Sequence, residues 1–288
     1  TQPRAANSQH CRQRLPSAGA YVAAIAGYCE DLAARTGWLE DSITGMRLRT
    51  SDQLLAIDVK GTGVRREGIS DAPNVAALCA PLLAASALGE TPPVLVCAEP
   101  GTGKTWSALQ LTHAMAQQCG QQCRQQLAEG AAVAPLVPLL VYVQRVSRML
   151  EGSDPAKPLD AATLLQYLAL EYAAAESAEW LSMLTMALEM RRLVIVLDGI
   201  DEAAGRKKTI STFVREVLVP SGVRVVCTSR PEGVRLKEFA SRFVVFDLNK
   251  LTDEQQRIAL RQQLAHTGSA PKAAQTELGA EVRILSSL

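Results

Sequence analysis

Five short apolar runs, Val94–Ala98, Leu136–Val143, Leu193–Leu197, Val223–Thr228 and Phe243–Phe246, alternate with longer helical patterns through the middle of the chain. A strand with one face in water alternates apolar and polar residues, whereas these runs are almost unbroken Val, Ile and Leu, as strands covered on both faces require. Alternation with helices then predicts an α/β fold, a mainly parallel five-stranded sheet covered by helices. Helices are predicted over Lys104–Cys119, where Ala108, Leu111, Met115, Ala116 and Cys119 share a face, and over Ala161–Tyr172 and Ser177–Arg191. The length, 288 residues with 48% apolar side chains, suits one large or two small globular domains.

The segment from Pro93 to Leu111 reads PVLVCAEPGTGKTWSALQL, a buried strand running into a glycine-containing turn and then a helix. That context is the one a phosphate-binding loop demands. A helix N-terminus offers unpaired N–H groups and the positive end of the helix dipole to a polyphosphate. The loop comprises Ala98, Glu99, Pro100, Gly101, Thr102, Gly103, Lys104, Thr105 and Trp106. Gly101 and Gly103, lacking Cβ atoms, let the backbone approach phosphate oxygens. Lys104 is placed to reach the β and γ phosphates, and the Thr105 hydroxyl to ligate Mg²⁺. One departure stands out: the G-x-x-x-x-G-K-[ST] pattern begins here with Ala98.

Two further segments carry chemistry. Arg192–Ala203 reads RLVIVLDGIDEA, five apolar residues ending in Asp198, the shape of a Walker B element able to hold Mg²⁺ directly or through water. Asp201 and Glu202 lie three and four residues on, where a turn would bring either back to orient or deprotonate a water. The alternative for each acid is a solvated loop carboxylate or a helix N-cap. Val223–Gly233 reads VRVVCTSRPEG, with Thr228, Ser229 and Arg230 at the end of a buried strand. Ligands of open α/β sheets collect at the carboxyl ends of strands, which places Arg230 to contact a γ-phosphate.

Taken together, AEPGTGKT, VIVLDGIDEA and VVCTSRPEG resemble the NACHT family of signal-transduction ATPases of the STAND class, relatives of AAA+ proteins. The family's mark is a small residue after the first Walker B acid with two acids following, matched here by Asp198, Gly199, Asp201 and Glu202. The resemblance spans roughly Asp52–Leu288. It implies a P-loop NTPase fold, ATP or ADP with Mg²⁺ as ligands, and a switch whose nucleotide state controls self-association. It assigns phosphate gripping to Lys104, magnesium to Thr105 and Asp198, hydrolysis to Asp201 and Glu202, and γ-phosphate sensing to Arg230. The family's adenine-sensing proline and its winged-helix histidine have no position here. The implied organisation is an N-terminal segment and amphipathic helix over 1–50, a NACHT-like domain over 51–250, and the beginning of a helical subdomain over 251–288.

Within that plan, residues 1–19 read as a flexible lead-in, and Tyr21, Val22, Ile25, Cys29, Leu32 and Ala33 recur at helical spacing, with Gly37 as the stop. Gln53–Lys60 reads as a strand and the stretch through Gly68 as a loop. Thr252 and Gln255 form a capping box for a helix running to about His266. The absent initial Met fits a fragment of a longer protein, although the acid-free, Arg-bearing first 29 residues also resemble a transit peptide. Seven cysteines without CxxC spacing suit a reducing compartment, and the cytoplasm is expected. Cys119 and Cys123, one turn apart, read as helix packing and not as metal ligands.

Composition narrows the partners. With 30 basic against 29 acidic residues and a formal charge of +1, the chain has no field to gather nucleic acid; Arg206, Lys207 and Lys208 make its one basic cluster. Ala18–Cys29 is about a dozen residues where roughly 20 would span a bilayer, so neither nucleic acid nor membrane is expected as a partner. The expectation is therefore a nucleotide switch with slow Mg²⁺-dependent hydrolysis, which self-associates or meets other proteins through domains outside the chain. A nucleotide-loaded scaffold without hydrolysis is the alternative. A small-molecule kinase lacks its arginine lid and acceptor pocket here, and a helicase its aromatic, basic groove.

Overall fold

The computed structural model describes residues 15, 17–40, 47–50, 59–63, 92–131, 133–154, 157–172, 178–248, 250, 252, 253 and 257. In chain order the elements are α1 (Ala18–Thr36), β1 (Trp38–Glu40), β2 (Arg47–Arg49), β3 (Val59–Gly63), β4 (Val94–Ala98), α2 (Lys104–Glu129), β5 (Val137–Tyr142), α3 (Val143–Met149), α4 (Ala161–Glu171), α5 (Ala178–Glu189), β6 (Leu193–Asp198), α6 (Lys207–Phe213), β7 (Arg224–Ser229), α7 (Leu236–Ala240) and β8 (Val244–Leu248).

The main sheet has the order β3-β8-β4-β7-β6-β5. β8, β4, β7, β6 and β5 run parallel, as the apolar runs predict. Their burial explains the composition. Odd-numbered side chains such as Leu95, Leu139, Ile195, Val225 and Val245 enter one core, while even-numbered ones such as Val96, Leu140, Val196, Val226 and Phe246 enter another. With helices over both faces, the parallel strands keep their polar residues to their ends, Arg224 at the start of β7 and Asp198, Thr228, Ser229 and Asp247 at the carboxyl ends. After β4 the chain crosses to the far edge at β5, returns through β6 and β7, and then places β8 on the other side of β4. β4 is thus flanked by strands reached in opposite directions, the switch point at which ligands of open α/β sheets gather.

The sequence reading needs two corrections. A sixth strand, β3, closes one edge antiparallel to β8, with Val59 opposite Leu248 and Gly63 opposite Val244. It occupies Val59–Gly63, whereas the apolar alternation pointed to Gln53–Lys60 and put Gly61–Gly63 in a loop; at an edge, backbone pairing with β8 sets the strand and side-chain alternation does not. Residues 53–58 lie outside the described residues, as do nearly all of 1–16 and of the helix expected from Thr252 to His266. Secondly, α2 continues past Cys119 to Glu129, ending at Gly130 in the left-handed conformation. A smaller two-stranded sheet joins β1 to β2.

α1 begins one turn ahead of Tyr21, its first N–H groups capped by Ser17, whose hydroxyl accepts from Ala20 N at 3.1 Å. Its inner face is clamped by aromatic rings. Tyr28 is fully buried, with Tyr172 and Trp180 packed edge-on at 6.0 and 5.9 Å between ring centroids, and its hydroxyl donates to the Pro138 carbonyl at 3.0 Å. In the same turn of α1, the residue after Tyr28 meets α2 through a buried group of Cys29, Cys119 and Cys123. Hydrogen bonding to Cys119, then burial, pushes the Cys123 thiol far up, so it stays a packing group. No three or more His, Cys, Asp or Glu among the described residues are grouped to hold a metal ion.

Tyr28→Ala removes the ring on which three elements close and is expected to cost about 3–5 kcal/mol, against about 1 kcal/mol for Tyr28→Phe, which deletes only the hydroxyl. Urea unfolding followed by circular dichroism measures both.

Candidate functional site

The turn after β4 rises from the middle of the sheet. Ala98 is the last residue of β4, buried and in register with Leu248. It holds an extended strand conformation that needs no glycine, which explains why alanine serves at the first position of the pattern. Glu99, Pro100 and Gly101 are exposed at the bend. Thr102 folds inward, its hydroxyl donating to the Glu99 carbonyl at 2.7 Å and its N–H to the same oxygen at 3.2 Å. Gly101 and Gly103 both have positive φ, 79° and 92°. Gly103 accepts from Ser107 N at 2.8 Å and starts α2, so Lys104 and Thr105 occupy its first turn. Trp106 is buried behind them, and among the described residues its indole N–H has no hydrogen-bond partner.

The acid-bearing strand arrives two places along the sheet. Asp198 ends β6 fully surrounded, at 4% exposure, with its Oδ1 accepting from the Thr228 hydroxyl at 2.6 Å. Thr228 in turn accepts from Gly199 N at 2.9 Å. Leu197 of β6 is opposite Cys227 of β7, so the next pair along the parallel register is Asp198 and Thr228. Sequence marks Thr228 only as a strand-end residue; its role as the partner of Asp198 comes from the adjacency of β6 and β7. No Lys or Arg of the described residues pairs with Asp198. A buried carboxylate held by a single hydroxyl is stabilised by a further electropositive partner.

Gly199 has φ 81°, and an added Cβ would lie 2.9 Å from Glu202 Cδ, so the small residue after the first acid answers a backbone requirement. The chain then folds into a short 3₁₀ turn, Ile200–Glu202, closed by Glu202 N donating to the Gly199 carbonyl at 2.8 Å. This turn brings both later acids over the strand end, as their spacing implied. Their surroundings differ. The Asp201 side chain is 6% exposed and Lys104 Nζ donates to its Oδ1. Arg230 also grips Asp201, by N–H to Oδ1 at 3.1 Å and by Nε to Oδ2 at 3.2 Å. Glu202, with 42% of its side chain exposed, lies 3.7 Å from Lys104 Nζ. Partial burial raises its carboxyl pKa above the usual range, with Asp198 and Asp201 adding to the rise and Lys104 opposing it.

Lys104, Asp198, Asp201, Glu202 and Arg230 therefore gather at one end of the sheet, although Lys104 pairs with Asp201 and Glu202 and with Asp198 not at all. Two residues beyond the expected set matter to this arrangement. Arg206, read as part of a basic cluster, is buried at 8% exposure, its guanidinium donating to the Leu150 carbonyl at 2.7 Å and the Asp154 carbonyl at 3.3 Å. It ties the loop after Glu202 to the loop after α3. Gly233 packs directly against Asp201. Neither is signalled by spacing, since both act through contacts between segments remote in sequence.

A parallel sheet whose inner strand turns through glycines into a helix, beside an acid-bearing and an arginine-bearing strand end, defines a P-loop NTPase fold. The NACHT domain model matches residues 93–267, more than half of the chain, which therefore belongs to the NACHT domain family. No curated protein matches it. Among the described residues no helix is long and apolar enough to cross a membrane.

Thr228→Val keeps the shape of the side chain but leaves Asp198 Oδ1 and the Gly199 N–H without their partner. It is expected to lower stability by about 1–3 kcal/mol with an unchanged circular dichroism spectrum, measured by urea unfolding.

Proposed function

We propose that the chain is an ATP-binding signalling switch with slow Mg²⁺-dependent hydrolysis, its nucleotide state controlling self-association. The observation that carries this reading is the meeting of Lys104, from the start of α2, with Asp201 and Arg230 at the neighbouring strand ends. A polyphosphate laid at the N-terminus of α2 meets its helix dipole and the unpaired N–H groups of its first turn. Lys104 binds its β and γ oxygens, and Arg230, on a side chain 44% exposed, turns from Asp201 toward a terminal phosphate.

The donor set fits Mg²⁺. Asp198 and Thr105 supply hard oxygens, and this ion ordinarily keeps waters and substrate phosphates for its remaining positions, so a larger acidic cage is not needed. When bound, Mg²⁺ neutralises charge on the phosphates. Asp198 orients through its bond from Thr228. Glu202, the more exposed acid with a raised pKa, is the group that orients and deprotonates water. ATP and ADP are the proposed ligands, and other proteins or a second copy the proposed partners. The five cysteines of the described residues are free, which supports a cytoplasmic location.

Lys104→Ala is expected to abolish binding of a fluorescent ATP analogue. Glu202→Gln keeps that binding and loses phosphate release. Equal binding by wild type and Lys104→Ala sinks the proposal; binding without release in the wild type leaves a nucleotide-loaded scaffold. Asp198→Asn is expected to weaken the Mg²⁺ dependence of binding by about tenfold or more, read by titrating Mg²⁺.

A further inference from the structure

Asp201 is surrounded by more than an accessory acid requires. Both of its oxygens are engaged, Oδ1 by Lys104 Nζ and the Arg230 N–H, Oδ2 by Arg230 Nε. Its side chain is almost closed off from water, while Glu202, one residue on, is largely open. The turn Pro231–Gly233 presses on it from the arginine strand: a Cβ on Gly233 would lie 2.9 Å from Asp201 Cα and 2.7 Å from Ser229 Oγ, closer than atoms of a packed interior approach. Gly233 N bonds to the Arg230 carbonyl at 2.9 Å, so the turn that grips the carboxylate and the one that abuts it are the same. The carboxylate is thus seated by its surroundings, and it bridges the two cations that a polyphosphate would use.

We infer that Asp201 is an internal anion that joins Lys104 to Arg230, and that an incoming polyphosphate must displace it. This rests on the nucleotide reading of the site and adds its regulation. The exchange is one of ion pairs only: phosphate oxygens take over Lys104 and Arg230, and the Asp201 carboxylate is released from both. Because Asp201 lies in the turn after β6 and Arg230 at the end of β7, displacement breaks the ionic link between those two turns while the Thr228 bonds between the strand ends stay in place. The presence of phosphate is thereby converted into a change in how the 231–233 turn is held. Gly233 is the positioning residue for this contact, since only a residue without a side chain lets the turn close on Asp201.

The test uses the full chain and two readouts. Acylation of Lys104 by a water-soluble amine reagent, followed by mass spectrometry, reports the hold on the ammonium without nucleotide. Asp201→Asn is expected to raise the rate at Lys104 about tenfold, and Glu202→Gln to change it less than about twofold, because one carboxylate is a buried partner and the other an exposed neighbour. Gly233→Ala, which keeps every charge, is expected to raise it to an intermediate degree and serves as the second route should Asp201→Asn fail to fold. The second readout is binding of a fluorescent ATP analogue in EDTA, expected to tighten about tenfold in Asp201→Asn and to stay near wild type in Glu202→Gln. Equal Lys104 labelling in wild type, Asp201→Asn and Gly233→Ala overturns the inference, as does faster labelling with unchanged analogue affinity. Failure of the nucleotide reading is separate, being recognised by wild type and Lys104→Ala binding the analogue alike.

Discussion

The parallel pairing of β6 with β7, and of β7 with β4, is the constraint from which the site follows. Parallel strands end on the same side, so the segments that end at Ala98, Asp198 and Ser229 deliver their terminal side chains to one edge without any further instruction. The pairing also fixes which groups are neighbours. Asp198 faces Thr228 because their strands are adjacent and in register, and Lys104 reaches Asp201 because the turn after β6 folds back toward the strand lying between. Burial on both faces makes the arrangement rigid, since the sheet is gripped by two apolar cores and a shift of one strand would disturb both.

How much of this was readable beforehand depended on whether the deciding interaction is local. The five parallel strands were legible because double-sided burial leaves short, Val- and Ile-rich apolar runs bounded by turn residues, and their length and β-branched content set them apart from buried helix. β3 was not, because an edge strand paired on one side is specified by backbone bonds to β8 and its sequence, Val59–Gly63, carries two glycines. The extent of α2 is hard to read because the part after Cys119 turns Gln121, Gln122, Arg124 and Gln125 to solvent and has few apolar residues to mark a buried face. Among site residues, those of the phosphate loop and strand ends declared themselves by type and position. The departure at Ala98 had a simple cause, as the residue belongs to the strand and not to the bend.

Partner choice was the part beyond reach. Nothing in the spacing of Asp198, Asp201 and Glu202 distinguishes the acid that meets a hydroxyl, the acid seated between two cations and the acid left to water; those fates are set by segments from elsewhere in the chain. The same holds for Arg206, whose charge looked like surface decoration and is in fact satisfied by backbone carbonyls inside the protein. Sequence thus locates the chemistry, while the sharing of roles among like residues emerges only from packing.

α2 spans 26 residues, about 39 Å at the usual rise, from the glycine turn at one end to a left-handed glycine at the other. It has no proline along its course and carries buried side chains on nearly every turn, so it moves as a rod or not at all. Its far half lies along α1, touching through Cys29, Cys119 and Cys123. A continuous helix of that length fixes the spacing between the glycine turn and α1, so neither can be repositioned against the other without bending the rod that joins them.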